Sequence, residues 1–594
     1  MVWWNRYPEE LEREIHALEV AGMQPQKNEA KFKEGKAEIG IRLKVLGSER
    51  DASIVYPDLY PYFRPTLFVP GLGTTLRHYN PHVGEVCLLQ RGTQYWLPEM
   101  TAAGHIGEML PHWEQAAVRH YEDSRLAVED EQAEPATSYY PTEKTQSVML
   151  DSSWRLPKAI SSGHIKIVFP KGHKSITQGE SFAAWVTEII GDDKKVIEGV
   201  SFTKPIKRWV RAQGYTECKY PWLRLEAPPI CSTLQELIEK LVSSDPKVKR
   251  HINHQRSLSK NGLYGFCFPE EAPGGGLRDG WLFLAYHCNK GTKRRGGSPV
   301  SGSYFWLVGP DYAGEKDLFE RVPELHPLRD KTVAIIGLGC VGAPSALAFA
   351  RAGIRELRLL DGDSVTAGTT CRWPQGLASA GAGKVRELAR YISQNHPLTK
   401  IGTGHYPYGS KKDCMVRLGD TSSDYDQWDC LEKWLEDVDL VYDATAEQGI
   451  NLLLNDMVIA RGIPYVTVSS RAGGWGGNVV RVRPNSDKGC YHCYLYSLQD
   501  EQIAQPSYDP CGDGLQPVGC GDITFKAAGF DVEEVALAGV RMAVSTLTEG
   551  ATSGYPPIVH DVAVLSLRKD GMAIFPEWQS FHLSKHPNCG ICNR

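Results

Sequence analysis

The spacing of apolar residues divides the chain into three parts. The first runs to about residue 130 and opens on an amphipathic helical pattern, "PEELEREIHALEVAG". It then switches to short alternating runs, "AEIGIRLKVLG", "DASIVYP" and "PTLFVPG", which predict strands. A segment around Cys87 follows, and then the helical stretch "AAGHIGEMLPHWEQAAVRHYED". Helix, meander, loop and helices in that order predict an α+β domain over 1–130. Residues 125–145 are acidic, polar and proline-containing, the composition of a linker.

The middle part, 131–325, carries apolar segments ("HIKIVFP", "SFAAWVTEII", "WLFLAYHC", "YFWLVG") and one clear helix, "STLQELIEKLVSS". It reads as a mixed α/β connector without a chemical constellation. The third part, 326–594, opens on "LRDKTVAIIGLGCVGAPSALAFARAGIRELRLLDGDSV", a strand, glycine turn, helix and strand. That order predicts an α/β Rossmann-like unit.

Composition narrows the classes. Of 594 residues, 42% are hydrophobic and 23% charged, as in globular chains with full cores. No run approaches the length of a membrane span, and acidic residues stand where a signal peptide would have its apolar run. A formal charge of -5 gives no support to a broad nucleic-acid surface. The 15 cysteines are odd in number and irregularly spaced, which turns attention from a disulfide framework to metal ligands and reactive thiols in a reducing cytoplasm.

The glycine turn holds Gly337, Gly339 and Gly342 in GxGxxG spacing, and the second strand ends at Asp361. Such glycines let phosphates approach the backbone at a helix N-terminus, and the acid can hold ribose hydroxyls. A dinucleotide dehydrogenase and an adenylating enzyme share this opening. Arg372 and Lys384, just beyond Asp361 and Asp363, favour adenylation. Splitting a triphosphate between its α and β phosphates builds charge on pyrophosphate, which two cations and magnesium can neutralise.

From these residues the third part resembles the ubiquitin-activating-enzyme family, with a ThiF/MoeB-like adenylation domain. The resemblance implies ATP and Mg2+. Asp361, Asp363, Arg372 and Lys384 match the family pattern, while Thr369 stands where the family has Asn. In "LVYDATAEQ" the family's Asp-x-Thr-Asp motif keeps Asp443 and Thr445 but has Ala446 in place of the second acid. Asp443 is therefore the expected magnesium ligand, with Glu447 as a substitute.

"CYHC" (Cys490, Cys493) and "CGIC" (Cys589, Cys592) form two knuckles that fit a structural four-thiolate Zn2+ site clamping the C-terminal tail. Between them, Cys511 and Cys520 lie in a Gly/Pro-rich stretch where a thiol can attack an adenylate. "GCGDITFKAAGFD" is more similar to the catalytic-cysteine segment of bacterial activating enzymes, so Cys520 is favoured and Cys511 stays the alternative.

"YPDLYPYFRPTLFV", "HYNP", "GEVCLL" and "YWLP" resemble a ubiquitin-conjugating enzyme. His78, Asn80, Cys87, Trp96 and Pro98 match the family's motifs, and Tyr79 replaces a proline. The resemblance implies that Cys87 receives an acyl group as a thioester. Asn80 then stabilises the oxyanion or holds the loop, and His78 is structural. The alternative is a buried, inert Cys87.

The order of parts resembles the bacterial ubiquitin-like transferases of antiphage cyclic-oligonucleotide signalling (CBASS) operons. That resemblance implies a protein substrate, a nucleotidyltransferase related to cyclic-GMP-AMP synthase (cGAS-like), whose C-terminus is joined to an acceptor amine. The third part's resemblance to bacterial adenylating domains, commonly symmetric dimers, implies a homodimer through that part. Fusion of the two activities would replace recruitment of a separate conjugating partner by raising effective concentration. A sulfur-carrier-type adenylyltransferase and an inactive binding scaffold are the competing expectations.

Overall fold

The computed structural model describes residues 2–73, 76–88, 96–118, 133–169, 180–213, 216–231, 233–258, 260–272, 275–288, 303–402, 427–510 and 526–593. The chain forms two compact units, one of residues 1–203 with 210–317 and one of 204–209 with 318–594.

In the first unit the alternating runs pair as half-buried strands do. Ala37–Val45 and Ser48–Tyr56 form an antiparallel hairpin whose two-residue turn places Leu46 and Gly47 at positive φ. Thr66–Phe68, Glu85–Val86 and Tyr79–Asn80 extend the same sheet on one side and Gln26–Lys27 on the other. The helices Pro8–Val20 and Ala102–Ala117 join one core with this sheet, through Leu11, Leu18, Ile39, Ile54, Ile106 and Trp113. One acid interrupts the apolar face of the first helix. Glu14 is fully buried, and its carboxylate accepts hydrogen bonds from Tyr56 Oη (2.9 Å), Tyr60 Oη (2.6 Å) and the Ala102 amide (2.9 Å). The second helix is thereby tied at its N-terminus, where Thr101 also caps Gly104.

The part expected to be a mixed α/β connector is a closed seven-stranded barrel instead. Its order is Thr216–Arg224, Gly262–Glu271, Leu277–Cys288, Ser303–Tyr312, Gln146–Leu150, Phe182–Gly191, Ser162–Phe169. Helices Leu234–Ser243 and Pro246–Leu258 cover one side, where Leu237, Leu241, Val248 and Ile252 pack on Phe266, Phe268 and Leu282. A strand with the barrel interior on one face and helices on the other is buried on both. Gly262–Phe268 is buried at every position, which erases the alternation that would announce a strand.

The stretch read as a linker is tied down over its described part, 133–145. Thr137 donates through its amide and hydroxyl to Glu270 at 3.0 and 2.8 Å, and the buried Tyr140 donates to the Pro229 carbonyl at 3.1 Å. Polar composition there supplies partners for the barrel rim rather than slack.

The second unit is built on an eight-stranded sheet, in the order Lys400–Gly402, Glu356–Leu360, Thr332–Ile336, Leu440–Asp443, Tyr465–Ser470, Gly476–Val482, Val562–Lys569, Met572–Phe581. The first five strands run parallel, and the last three turn antiparallel. Helices Gly342–Arg351 and Gly529–Leu547 share one core with the sheet, while Gln448–Arg461 and Tyr491–Gln499 contribute to another. The strand Thr332–Ile336 has Glu356–Leu360 on one side and Leu440–Asp443 on the other. Its carboxyl end is thus a topological switch point, where doubly wound sheets bind ligands.

Candidate functional site

At that switch point Gly337 takes φ +80°. A Cβ there would lie 2.8 Å from the backbone of Ala444 and Thr445, so only glycine lets the two loops cross. At Gly342 a Cβ would fall 1.8 Å from the Gly337 carbonyl oxygen, which fixes the close approach of helix to strand. Gly339 has no described atom within 4 Å of where its Cβ would stand, which suits the approach of a phosphate. Asp361 closes the turn: its carboxylate accepts from the Leu338 amide at 2.6 Å and the Asp363 amide at 2.7 Å.

Lys384, the first residue of helix Lys384–Asn395, brings its ammonium to Asp363 (2.9 Å) and Asp361 (3.4 Å). Burial pushes the Cys340 thiol up, against the charge of Arg372, a backbone hydrogen bond and the charge of Lys384. Thr369 spends its hydroxyl locally, on the Thr366 carbonyl at 2.8 Å. The glycine turn, Asp361, Asp363 and Lys384 thus meet at one place, an arrangement compatible with a bound phosphate chain.

Asp443, the expected magnesium ligand, is held by four hydrogen bonds. It is fully buried, and Oδ1 accepts from the Thr445 amide (2.9 Å) and hydroxyl (2.7 Å). Oδ2 accepts from Asn451 Nδ2 (2.7 Å) and Tyr465 Oη (2.8 Å). A carboxylate offers about four acceptor positions, and all are taken. Burial raises its pKa, and these four donors work against that rise. Glu447, the expected substitute, is exposed and caps helix Gln448–Arg461 through the Gly449 amide.

Cys490, Cys493, Cys589 and Cys592 converge as expected. Their sulfurs all lie within 4.8 Å of one another, with 3.9 Å across the first knuckle and 3.6 Å for Cys490–Cys589 and Cys493–Cys592. A tetrahedral zinc with 2.3 Å bonds to sulfur needs edges of about 3.8 Å, so the four thiols fit the ion. The His586 and Cys592 amides donate to the sulfurs of Cys493 and Cys589 at 3.3 and 3.4 Å, contacts suited to thiolates. Contact between their sulfurs holds the Cys493 thiol down and pushes Cys490 up. The tail docks beside them: His586 stacks on Tyr496 with ring centres 4.9 Å apart and pairs with Asp500 at 2.9 Å.

Cys87 lies half-buried just after a short hairpin in which Tyr79 pairs with Val86 and Asn80 with Glu85. Gly84 makes the turn at φ +80°, where a Cβ would sit 2.9 Å from Pro70. Asn80 Oδ1 accepts from the His82 amide at 3.0 Å, so its visible work is to hold this loop. Trp96 is buried and donates to the Pro61 carbonyl. His78, at φ +52°, accepts on its carbonyl from the Cys87 amide and the Trp113 indole, each at 2.9 Å. Glu134, from the former linker, accepts from the His78 amide at 2.9 Å and pairs with Nδ1 at 3.0 Å. Cys511 and Cys520 lie outside the described residues.

Burial pushes Glu134 up, but the hydrogen bonds from His78 and the charges of His78 and Arg77 outweigh it and leave its pKa lowered. Its contribution to stability is therefore present above the ordinary carboxylate range and lost as pH falls through the lowered value. Glu134→Gln is expected to lower the melting temperature at pH 7, with the gap to the parent closing below about pH 4. Thermal melts at the two pH values check this.

Residues 316–563 match the ThiF family. The matched stretch, less than half of the chain, is ThiF-like. Among curated proteins, uncharacterized protein y4oA of Sinorhizobium fredii is 27% identical over 602 residues, covering 99% of this chain and 97% of that protein. The likeness therefore runs through all three parts. The adenylyltransferase and sulfurtransferase UBA4 of Yarrowia lipolytica is 23% identical over 266 residues, 45% of this chain and 56% of that protein. Of solved structures, E. coli MccB is 13% identical over 47% of this chain and 73% of that one, with a TM-score of 0.33, too slight a likeness to assign anything here.

In the ThiF-like stretch the sequence motifs found the glycine turn, Asp361, Asp363 and Lys384. They missed Asn451, Tyr465 and Tyr491, which hold Asp443 or its partner. One signal was available. Asn451 and Asn455 stand four apart on the apolar helix "INLLLNDMVIA", a spacing that puts two amides on one helix face.

Proposed function

We propose that the chain activates the C-terminal carboxylate of a protein with ATP and passes it through two cysteines to an amine. The carboxylate oxygen attacks the α phosphorus and pyrophosphate leaves. A thiolate, Cys520 or else Cys511, attacks the acyl carbon and AMP leaves. The Cys87 thiolate takes the acyl group from the first sulfur, and the acceptor amine takes it from Cys87, losing a proton and freeing the thiol. The observation that carries this reading is the meeting of the glycine turn, Asp361, Asp363 and Lys384 in a ThiF-like stretch.

In this reading 1–130 is the conjugating module, 131–325 the connector and 326–594 the activating module. Magnesium arrives with the ATP phosphates, and Asp443 reaches it only by giving up one of its four hydrogen bonds. Zinc occupies the four-cysteine site. The substrate class is a cGAS-like nucleotidyltransferase in CBASS antiphage defence, acting in the cytoplasm. Among the described residues no helix is long and apolar enough to cross a membrane. A homodimer through the third part is supported by the outer strand Met572–Phe581, which leaves Phe575 93% and Met572 70% exposed.

Cys87→Ser tests the reading, because an ester outlasts a thioester. Full-length protein recovered from the cells that encode it should carry an ATP-dependent, alkali-labile adduct at position 87, identified by mass spectrometry as the C-terminus of one protein. An unmodified position 87 refutes the transfer. The similarity to UBA4 favours a second reading, an adenylyltransferase for a sulfur carrier, in which the first part only binds. Thiocarboxylate on the carrier's C-terminus, with position 87 unmodified, would select it.

A further inference from the structure

Tyr491 lies between the two cysteines of the first knuckle, and helix Gln448–Arg461 grips it at both ends. Its amide donates to Asn455 Oδ1 at 2.8 Å, and its hydroxyl donates to Asn451 Oδ1 at 3.1 Å. Asn451 passes the contact on, donating to Asp443 Oδ2 at 2.7 Å. Asp443 in turn fixes Thr445 by two hydrogen bonds through Oδ1. The Ala444–Thr445 backbone is the wall against which Gly337 turns. Asn451, Asn455 and Asp443 are each buried to 5% exposure or less, and Tyr491 to 8%. A buried donor or acceptor that loses its partner is costly, so displacement of one member is resisted by the next.

We propose that metal loading of the four-cysteine site sets the geometry of the nucleotide turn through Tyr491, Asn451 and Asp443, so that the loaded protein binds ATP more tightly than the metal-free one. The metal fixes Cys490 and Cys493, and with them the tyrosine between. Tyr491, Asn451 and Asp443 act as positioning residues for the turn. By linkage ATP must raise the affinity of the cysteines for the metal by the same factor. The inference rests on the adenylation reading only for the identity of the nucleotide.

Tyr491→Phe removes one hydroxyl and leaves all four ligands. The full-length variant is expected to keep one zinc by elemental analysis. It should bind ATP about three- to tenfold more weakly, the worth of a buried hydrogen bond. Amide hydrogen exchange over residues 337–342 should be faster than in the parent without any nucleotide. Cys592→Ser should lose zinc and weaken ATP binding at least as much, and the double variant should add nothing to it. A Tyr491→Phe protein with parental ATP affinity and parental exchange overturns the proposal, as does full additivity with Cys592→Ser. Faster exchange in the variant of a parent that binds no ATP would uphold the coupling and refute the adenylation reading.

Discussion

Removal of the last six residues, from Cys589 on, is expected to take the bound zinc from one per chain to none and to destabilise the second unit. Two thiols, Cys490 and Cys493, would remain, half of a tetrahedral set. The loss goes beyond the ion. Cys490, Cys493, Cys589 and Leu583 belong to one buried cluster with Tyr465, Tyr494 and Val562, so a metal held there would tie the tail to the sheet core. Binding energy at such a site is folding energy, because the unfolded chain does not preform it. His586 and its contacts with Tyr496 and Asp500 survive the truncation, which leaves the metal as the main element removed. Calorimetry should show the transition of the second unit displaced to lower temperature and that of the first unaffected. A truncated protein free of zinc that melts with the parent would show that the knuckles are not a structural site.

Cys520→Ala is expected to abolish loading of Cys87 while ATP–pyrophosphate exchange continues. Cys87→Ala should let a thioester accumulate on the first thiol and abolish the final conjugate. The split follows from the order of steps: adenylation comes before the first thiol attack and breaks a bond of ATP without using either thiol. A thiolate is already a strong nucleophile near neutral pH, and its thioester keeps enough free energy for amide formation. Non-reducing gels with a thiol-sensitive adduct separate the outcomes. Loading of Cys87 in the Cys520→Ala protein would move the first transfer to Cys511, or remove it if Cys511→Ala loads as well. Conjugation that survives Cys87→Ala would leave the first part as a binding module.

The sequence was most legible where chemistry imposes spacing. GxGxxG with an acid after the second strand, and two CxxC knuckles, each name atoms that must meet, and they do meet in the structure. It was least legible where burial on two faces hides periodicity. The barrel strand Gly262–Glu271 and its covering helices leave no alternation to read. Polar composition also misled at 133–145, because Glu134 and Thr137 are polar in order to bind His78 and Glu270. Asp443 was recognised by its motif, but its three partners, Thr445, Tyr465 and Asn451, come from loop, strand and helix and could not be assembled from spacing alone.

Cleavage of ATP between its α and β phosphates is the central claim, and ATP–pyrophosphate exchange tests it most directly. The measurement uses full-length protein, magnesium, labelled pyrophosphate and the protein captured on the Cys87→Ser variant. Lys384, 15% exposed and poised on Asp361 and Asp363, serves as the control position. The account predicts label in ATP that depends on the captured protein's C-terminus and falls at least about a hundredfold in Lys384→Ala, the scale of losing a charge-stabilising donor. ADP and phosphate as products, with no label returned to ATP, would contradict it.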